Sequence, residues 1–161
     1  MGFEPSKNVA DLSKKNGVNV LNEFFNLENA SNLKDFKNKT DVICAANVIC
    51  HVPDLVNLIK GVDVLLSKDG VFVFEEPYLG SMLQKISYDQ IYDAHVFMFS
   101  VLSVQKIFNK FNFDLIDLYP QITHGGSMRY VIARKNTKNI SSKIKTTIKE
   151  EISMRMDTID A

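Results

Sequence analysis

The run Asp41-Val42-Ile43-Cys44-Ala45-Ala46 does most to narrow the folds open to this chain. It is almost continuously apolar and of strand length, the pattern of a strand buried on both faces in the middle of a parallel sheet. Leu55, Leu58, Ile59, Val62 and Leu66 then repeat at helical spacing, Lys68-Asp69-Gly70 reads as a turn, and Val71-Phe72-Val73-Phe74 is the next buried strand. Upstream, Gly2-Phe3-Glu4 reads as the last residues of a strand, and Ser6 to Asn16-Gly17 as a capped helix with Val9 and Leu12 on its apolar side. Val18 to Leu21 is a short strand, and Leu27 to Lys37 a polar helical stretch carrying Leu33 and Phe36. Strands alternating with helices imply a parallel α/β sheet with right-handed crossovers. Such sheets bind ligands at the carboxyl ends of their strands, here Glu4, Asn22, Asn47 with His51, and Tyr78.

After Gly80 the pattern changes to an insertion above the sheet, followed by a helix from about Val101 to Phe111. Phe113 to Tyr119 and Met128 to Ala133 are strands separated by the His124-Gly125-Gly126 turn, which fits an antiparallel pair. Residues 136–161 carry Ile140, Ile144, Ile148 and Ile152 every four positions. That spacing is an amphipathic helix that docks on a neighbour or on a missing part of the sheet.

The insertion, Ser87 to Ser100, holds the chemistry. Histidine titrates near pH 6.5 when unperturbed, so His95 is suited to act as base or acid near neutrality. Tyr92 stands three residues earlier, and in a helix that spacing puts phenol and imidazole on one face. The competing reading is a satisfied interior pair among Phe97 and Phe99.

With 161 residues the chain suits one domain, and its zero formal net charge gives no electrostatic footprint for nucleic acid. No apolar run approaches the roughly 18 residues of a membrane span, and the first twenty residues do not follow a signal-peptide pattern. A cytoplasmic location is expected. Cys44 and Cys50, six apart, have neither redox CxxC spacing nor the partners of a zinc site, so buried free thiols and no metal centre are expected.

GFEPS at 2–6, ANVICHVPDL at 46–55, GVFVFEEPYLG at 70–80, YDQIYDAHVFMFS at 88–100 and HGGSMRYVIAR at 124–134 stand in order and at sensible spacing. Together they resemble class I methyltransferases that use S-adenosylmethionine (SAM), and more narrowly the C-methyltransferases of deoxysugar biosynthesis. The resemblance implies a Rossmann-like α/β fold, mostly parallel with an antiparallel C-terminal strand. It also implies a partial methyltransferase domain over 1–135, with the substrate-binding part at about 79–135, before the helical segment 136–161. Family members carry upstream a zinc-binding segment and a first strand with a glycine-rich loop, and neither has a counterpart here. The expectation is a split or truncated gene product, or an N-terminal complementing chain that supplies strand and loop. The family's Tyr-Asp-Glu-His also becomes Tyr92-Asp93-Ala94-His95, without the carboxylate.

The substrate implied is a nucleotide-linked 4-keto-6-deoxy sugar, with dTDP the expected nucleotide. His95 would take the C3 proton and Tyr92 would hydrogen-bond the keto or enolate oxygen. His51 is either a second donor on the same ledge or a cap for the helix beginning near Pro53. For the cofactor, Glu4 would accept from the ribose hydroxyls or is only an exposed acid. Phe24 or Phe25 would cover the adenine or both are core, and Asn47 lies where cofactor and substrate meet. Tyr78 would border the pocket. His124, Gly125, Gly126 and Arg129 would reach the diphosphate, Arg129 being alternatively a solvated strand charge. A non-catalytic subunit that binds a partner or sugar nucleotide is the other outcome the resemblance leaves open.

Overall fold

Alternation along Leu66–Pro77 (β4) puts Phe72 and Phe74 on one face, and in the computed structural model, which describes residues 1–158, both are fully enclosed. Phe74 stacks on Tyr130 at 4.9 Å and on Phe108 at 5.6 Å, and Phe108 meets Phe113 edge-on at 6.4 Å. Contacts of this kind add about 0.5–1.5 kcal/mol each beyond the area they bury. Around this column β4 pairs in parallel with Thr40–Ala46 (β3) and antiparallel with Ser127–Arg134 (β6). β6 pairs antiparallel with Phe113–Gln121 (β5), so the sheet order is β3-β4-β6-β5 and β6 alone opposes the others. Gly2–Phe3 (β1) and Val20–Leu21 (β2) form a separate parallel pair. The helices are Lys7–Lys15 (α1), Leu27–Asn32 (α2), Leu55–Leu65 (α3), Leu79–Lys85 (α4), Val101–Asn109 (α5) and Ser142–Ser153 (α6). This is the expected α/β, Rossmann-like architecture with an antiparallel C-terminal strand. Among the described residues no helix is long and apolar enough to cross a membrane.

Several local expectations change. β3 is an edge strand, not a central one. No described strand pairs with its outer side, so Val42, Cys44 and Ala46 are exposed while Ile43 and Ala45 pack on the core. Cys44 is therefore an exposed thiol, and only Cys50 is buried. Lys68-Asp69-Gly70 is not a turn between helix and strand. It is absorbed in β4 as an irregularity between the pairs Thr40–Leu66 and Val42–Val71. A Cβ on Gly70 would lie 2.7 Å from the Thr40 carbonyl oxygen, so only glycine permits that approach. α2 stops at Asn32, five residues short, because Asn29, Ser31 and Asn32 hold helix weakly.

α6 docks on this chain's own α5 and β5, burying Ile144 and half-burying Ile148 while Ile140 and Ile152 face outward. The end of the 136–161 stretch, residues 159–161, lies outside the described residues. The contact is fixed by a buried carboxylate. Glu151 accepts from the Val101 and Leu102 N–H groups at 2.6 and 2.8 Å and from the Tyr78 hydroxyl at 2.9 Å. Those amides are at the N-terminus of α5, where the helix dipole favours negative charge. Ser100 and Ser103 complete the same end with a reciprocal capping box.

A second buried carboxylate, Glu76, accepts from the Val48 and Ile49 N–H groups at 3.0 and 2.7 Å, and its Oε2 has no hydrogen-bond partner. At the opposite end of the sheet, Arg134 pairs with Asp63 and donates to the Asp63 and Leu66 carbonyls, both at 2.8 Å. It thereby caps the C-terminus of α3 with positive charge.

Glu151→Ala strands two N–H groups and a tyrosine hydroxyl. A loss of about 3 kcal/mol is expected in urea unfolding, with Glu151→Gln, which keeps an acceptor, losing less. An unchanged midpoint in Glu151→Ala would show that α6 is not held by this contact.

Candidate active site

Beyond the end of β3 the backbone reverses at Asn47, whose φ of 53° is left-handed and whose N–H donates to the Glu75 carbonyl at 2.8 Å. Ile49–His51 then form one 3-10 turn, the turn that Glu76 grips. His51 does not cap α3, because Asp54 does so by accepting from the Asn57 N–H at 2.9 Å. Instead His51 Nδ1 lies 2.6 Å from the Ala94 carbonyl oxygen. A carbonyl only accepts, so Nδ1 carries the proton and Nε2 keeps its lone pair.

The segment around Tyr92 and His95 is not helical. A 3-10 turn covers Tyr88–Gln90, and the amides of Val96 and Phe97, which a helix would need, donate instead to the Cys50 carbonyl at 2.9 and 3.2 Å. The two side chains meet all the same, through a turn closed by the His95 N–H on the Tyr92 carbonyl at 2.9 Å. The Tyr92 hydroxyl is 2.7 Å from His95 Nε2, and the rings are 4.0 Å apart. His95 Nδ1 lies 2.9 Å from the Gln90 carbonyl oxygen, which fixes its proton there and makes Nε2 the acceptor of the Tyr92 O–H. The His51 and His95 rings are 5.0 Å apart. Tyr92 is 50% exposed, His51 is exposed and His95 half-buried, so this is a surface cluster and not an interior pair. Beneath it sits the buried Cys50 thiol, its pKa pushed up by burial and then by the adjacent Glu76 carboxylate.

Other strand ends fall as the sequence suggests. Glu4 follows β1, its carboxylate accepting from the nearby Ser6 N–H at 2.8 Å. Asn22 follows β2 and donates to the Glu4 and Pro5 carbonyls, both at 2.9 Å, which locks the two ends together. Phe24 is 69% exposed beside them and so is not core. Phe25 turns inward and meets Phe3 edge-on at 5.1 Å. β1 and β3 share an apolar groove of about 410 Å³ lined by Gly2, Phe3, Phe25, Val42, Cys44 and Leu58.

On the substrate side two assignments are corrected. Tyr78 is buried and its hydroxyl is committed to Glu151, and burial and that carboxylate raise its pKa. Arg129 is neither free for a diphosphate nor merely solvated. Its guanidinium grips the Glu75 carboxylate through Nε at 3.1 Å and Nη2 at 2.8 Å, and Thr123 donates to the same carboxylate at 2.9 Å. His124, with a left-handed φ of 50°, and Gly125 offer their carbonyls to the side chains of Gln90 and Lys85. Gln90 therefore links the β5–β6 turn to His95, since its own carbonyl holds the imidazole. Glu75, Glu76 and Gln90 carry no role in the sequence reading, and Cys50 appears there only as a buried thiol. Of these only the Glu75-Glu76 pair, at a strand's carboxyl end, carried a signal.

A family model described as "Methyltransferase domain" matches residues 1–118. The C-methyltransferase NovU of Streptomyces niveus is 27% identical over 128 residues, which is 80% of this chain and 30% of NovU. The chain thus spans under a third of that relative's length. Among solved structures, a SAM-dependent methyltransferase from Thermotoga maritima superposes with a TM-score of 0.59 at 21% identity, covering 81% of this chain and 72% of that one. The magnesium protoporphyrin IX methyltransferase of Synechocystis PCC 6803, solved with bound SAH, gives 0.57 at 12% identity over 83% and 63%. These likenesses speak for the fold, and the family match covers most of the sequence: the chain belongs to the methyltransferase domain family.

Proposed function

We propose that this chain acts in SAM-dependent C-methylation of a nucleotide-linked 4-keto-6-deoxy sugar, with dTDP as the nucleotide and a cytoplasmic setting. The observation that carries the reading is the Tyr92–His95 pair, in which a backbone carbonyl fixes one imidazole nitrogen as donor and leaves Nε2 basic at an exposed ledge. The 27% identity to a C-methyltransferase supports the same chemistry.

The strand ends suit the cofactor. Glu4 offers carboxylate oxygens for ribose hydroxyls at the end of β1, exposed Phe24 offers a ring for adenine, and Asn47 brings a left-handed backbone to the end of β3. SAM supplies an electrophilic methyl on a sulfonium. The rest is work for this chain. The hydrogens at C3 of a 4-keto sugar are acidified by the carbonyl, and His95 Nε2 removes one. For this the Tyr92 hydroxyl must leave Nε2, and its natural new acceptor is the keto oxygen, whose developing negative charge it stabilises. His51 donates from Nε2 only as the imidazolium, because its Nδ1–H is held by Ala94. The C3 carbanion then displaces the sulfur from the methyl carbon. Positioned base catalysis contributes about 10²- to 10⁴-fold and one oxyanion donor about 10²- to 10³-fold.

Partners fit this reading as well. The groove between β1 and β3 has an unpaired strand edge on each side, and an N-terminal complementing segment that enters as a strand would close it. Ala94, whose carbonyl orients His51, favours a second reading in which the family's carboxylate is lost and the chain binds the sugar nucleotide without turnover.

In heavy water with SAM and a dTDP-linked 4-keto-6-deoxyhexose, mass spectrometry of the sugar is expected to show a new methyl group. His95→Ala should lower that signal at least about 10²-fold while leaving sugar binding intact. Neither methyl nor deuterium on a demonstrably bound sugar would select the non-catalytic reading. Tyr92→Phe is expected to lower kcat by about 10²-fold with little change in KM. An effect confined to KM would remove Tyr92 from the transition state.

A further inference from the structure

Cys50, His51 and His95 converge from two turns, and one ligand atom from each lies within 4.8 Å of the other two. Both imidazoles are held in one tautomer by backbone carbonyls: His51 Nδ1 faces Ala94 and His95 Nδ1 faces Gln90. Outer contacts of this kind orient histidines that bind metals and fix which nitrogen offers its lone pair. Below them Glu76 is fully buried beside the Cys50 thiol, and its Oε2 has no hydrogen-bond partner among the described residues.

We propose that Cys50 Sγ, His51 Nε2 and His95 Nε2 form a zinc site. A tetrahedral ion with bonds of about 2.0–2.3 Å needs ligand atoms roughly 3.3–3.8 Å apart, within reach of side chains whose ligand atoms all lie within 4.8 Å of one another. Both histidines sit on turns rather than in regular elements, which leaves them free to make that adjustment. One sulfur and two nitrogens suit zinc, and the exposure of His51 and Tyr92 leaves the fourth position to solvent. On binding, the Cys50 S–H proton is released to water as the sulfur–metal bond forms, and the Tyr92 hydroxyl gives up His95 Nε2 to the metal. The site stands on this geometry alone. One consequence rests on the proposed reaction: zinc takes the lone pair that deprotonation needs, so metal-loaded protein does not methylate.

Cobalt(II) titrated into chelator-treated protein is the test, read by absorption. The expected result is a thiolate-to-cobalt charge-transfer band in the near ultraviolet with visible bands of tetrahedral strength, removed by one equivalent of zinc. Cys50→Ser should abolish the charge-transfer band and Cys44→Ser should keep it. His51→Ala, at an exposed position that folding tolerates, should weaken zinc binding at least about 10²-fold. A spectrum with no thiolate band, or one unchanged in Cys50→Ser or His51→Ala, would overturn the site.

Discussion

The chain's candidate chemistry depends on a carboxylate that faces no solvent. Glu76 extends from the last turns of β4 and takes the Val48 and Ile49 amides, which bolts the turn after β3 to the centre of the sheet. Burying an unpaired carboxylate costs several kcal/mol, and charge-assisted bonds to two amides offset that cost. A turn of six residues without such an anchor would fray, taking His51 and the Cys50 carbonyl with it. Because Val96 and Phe97 hang from that carbonyl, the same anchor also sets the height of His95 above the sheet. Glu151 repeats the device just past the same strand, where it fastens α6 to the N-terminus of α5 and to Tyr78. Two carboxylates without cation partners thus do for the loops what hydrogen-bond ladders do for the strands.

Architecture was legible where residues repeat with a period. Leu55, Leu58, Ile59 and Val62 announced α3, although Leu66 of the same repeat opens β4, and Phe72 with Phe74 announced β4, since burial of one face imposes that spacing. Neighbours across the sheet were legible where a short turn joins them, as between β5 and β6, but not elsewhere. The run from Asp41 to Ala46 is apolar enough for a central position, yet β3 is an edge, because hydrophobicity records which surfaces avoid water and not which strand covers them. α6 shows the same limit: its isoleucine spacing marked an apolar stripe, but its receptor was visible only through Glu151, a residue whose charge pointed the other way.

For the site, Tyr92 and His95 were found through an assumption about local structure that does not hold. Helical spacing would have brought them together; a single turn does so instead, since any i, i+3 closure shortens the same distance. Arg129 reads in sequence as a diphosphate fork or a solvated charge because its carboxylate partner lies 54 residues away on an adjacent strand. Tyr78 was read as lining a pocket because strand ends usually do, whereas its hydroxyl serves a helix from the far end of the chain. Contacts made within one turn, such as Tyr92 with His95, are legible in local sequence. Roles decided by a distant partner are not.

On the proposed reaction, the resting contact between Tyr92 and His95 would let an exposed base remain specific. With the phenol hydrogen on Nε2, that nitrogen's lone pair is already engaged until the hydroxyl leaves. A neutral hydrogen bond is worth about 0.5–1.5 kcal/mol net, so releasing it is a small barrier when the hydroxyl finds another acceptor at once and a real one when it does not. Only a molecule that offers a carbonyl oxygen to Tyr92 and an acidified C–H to Nε2 satisfies both partners together. Gln90 makes that requirement geometric: its carbonyl holds the imidazole from behind while its side chain is tied to the β5–β6 turn, so the ring cannot rotate toward a substrate that meets half the condition. Selection at this ledge therefore follows from the exchange of one proton donor between two acceptors, held at a fixed distance by backbone.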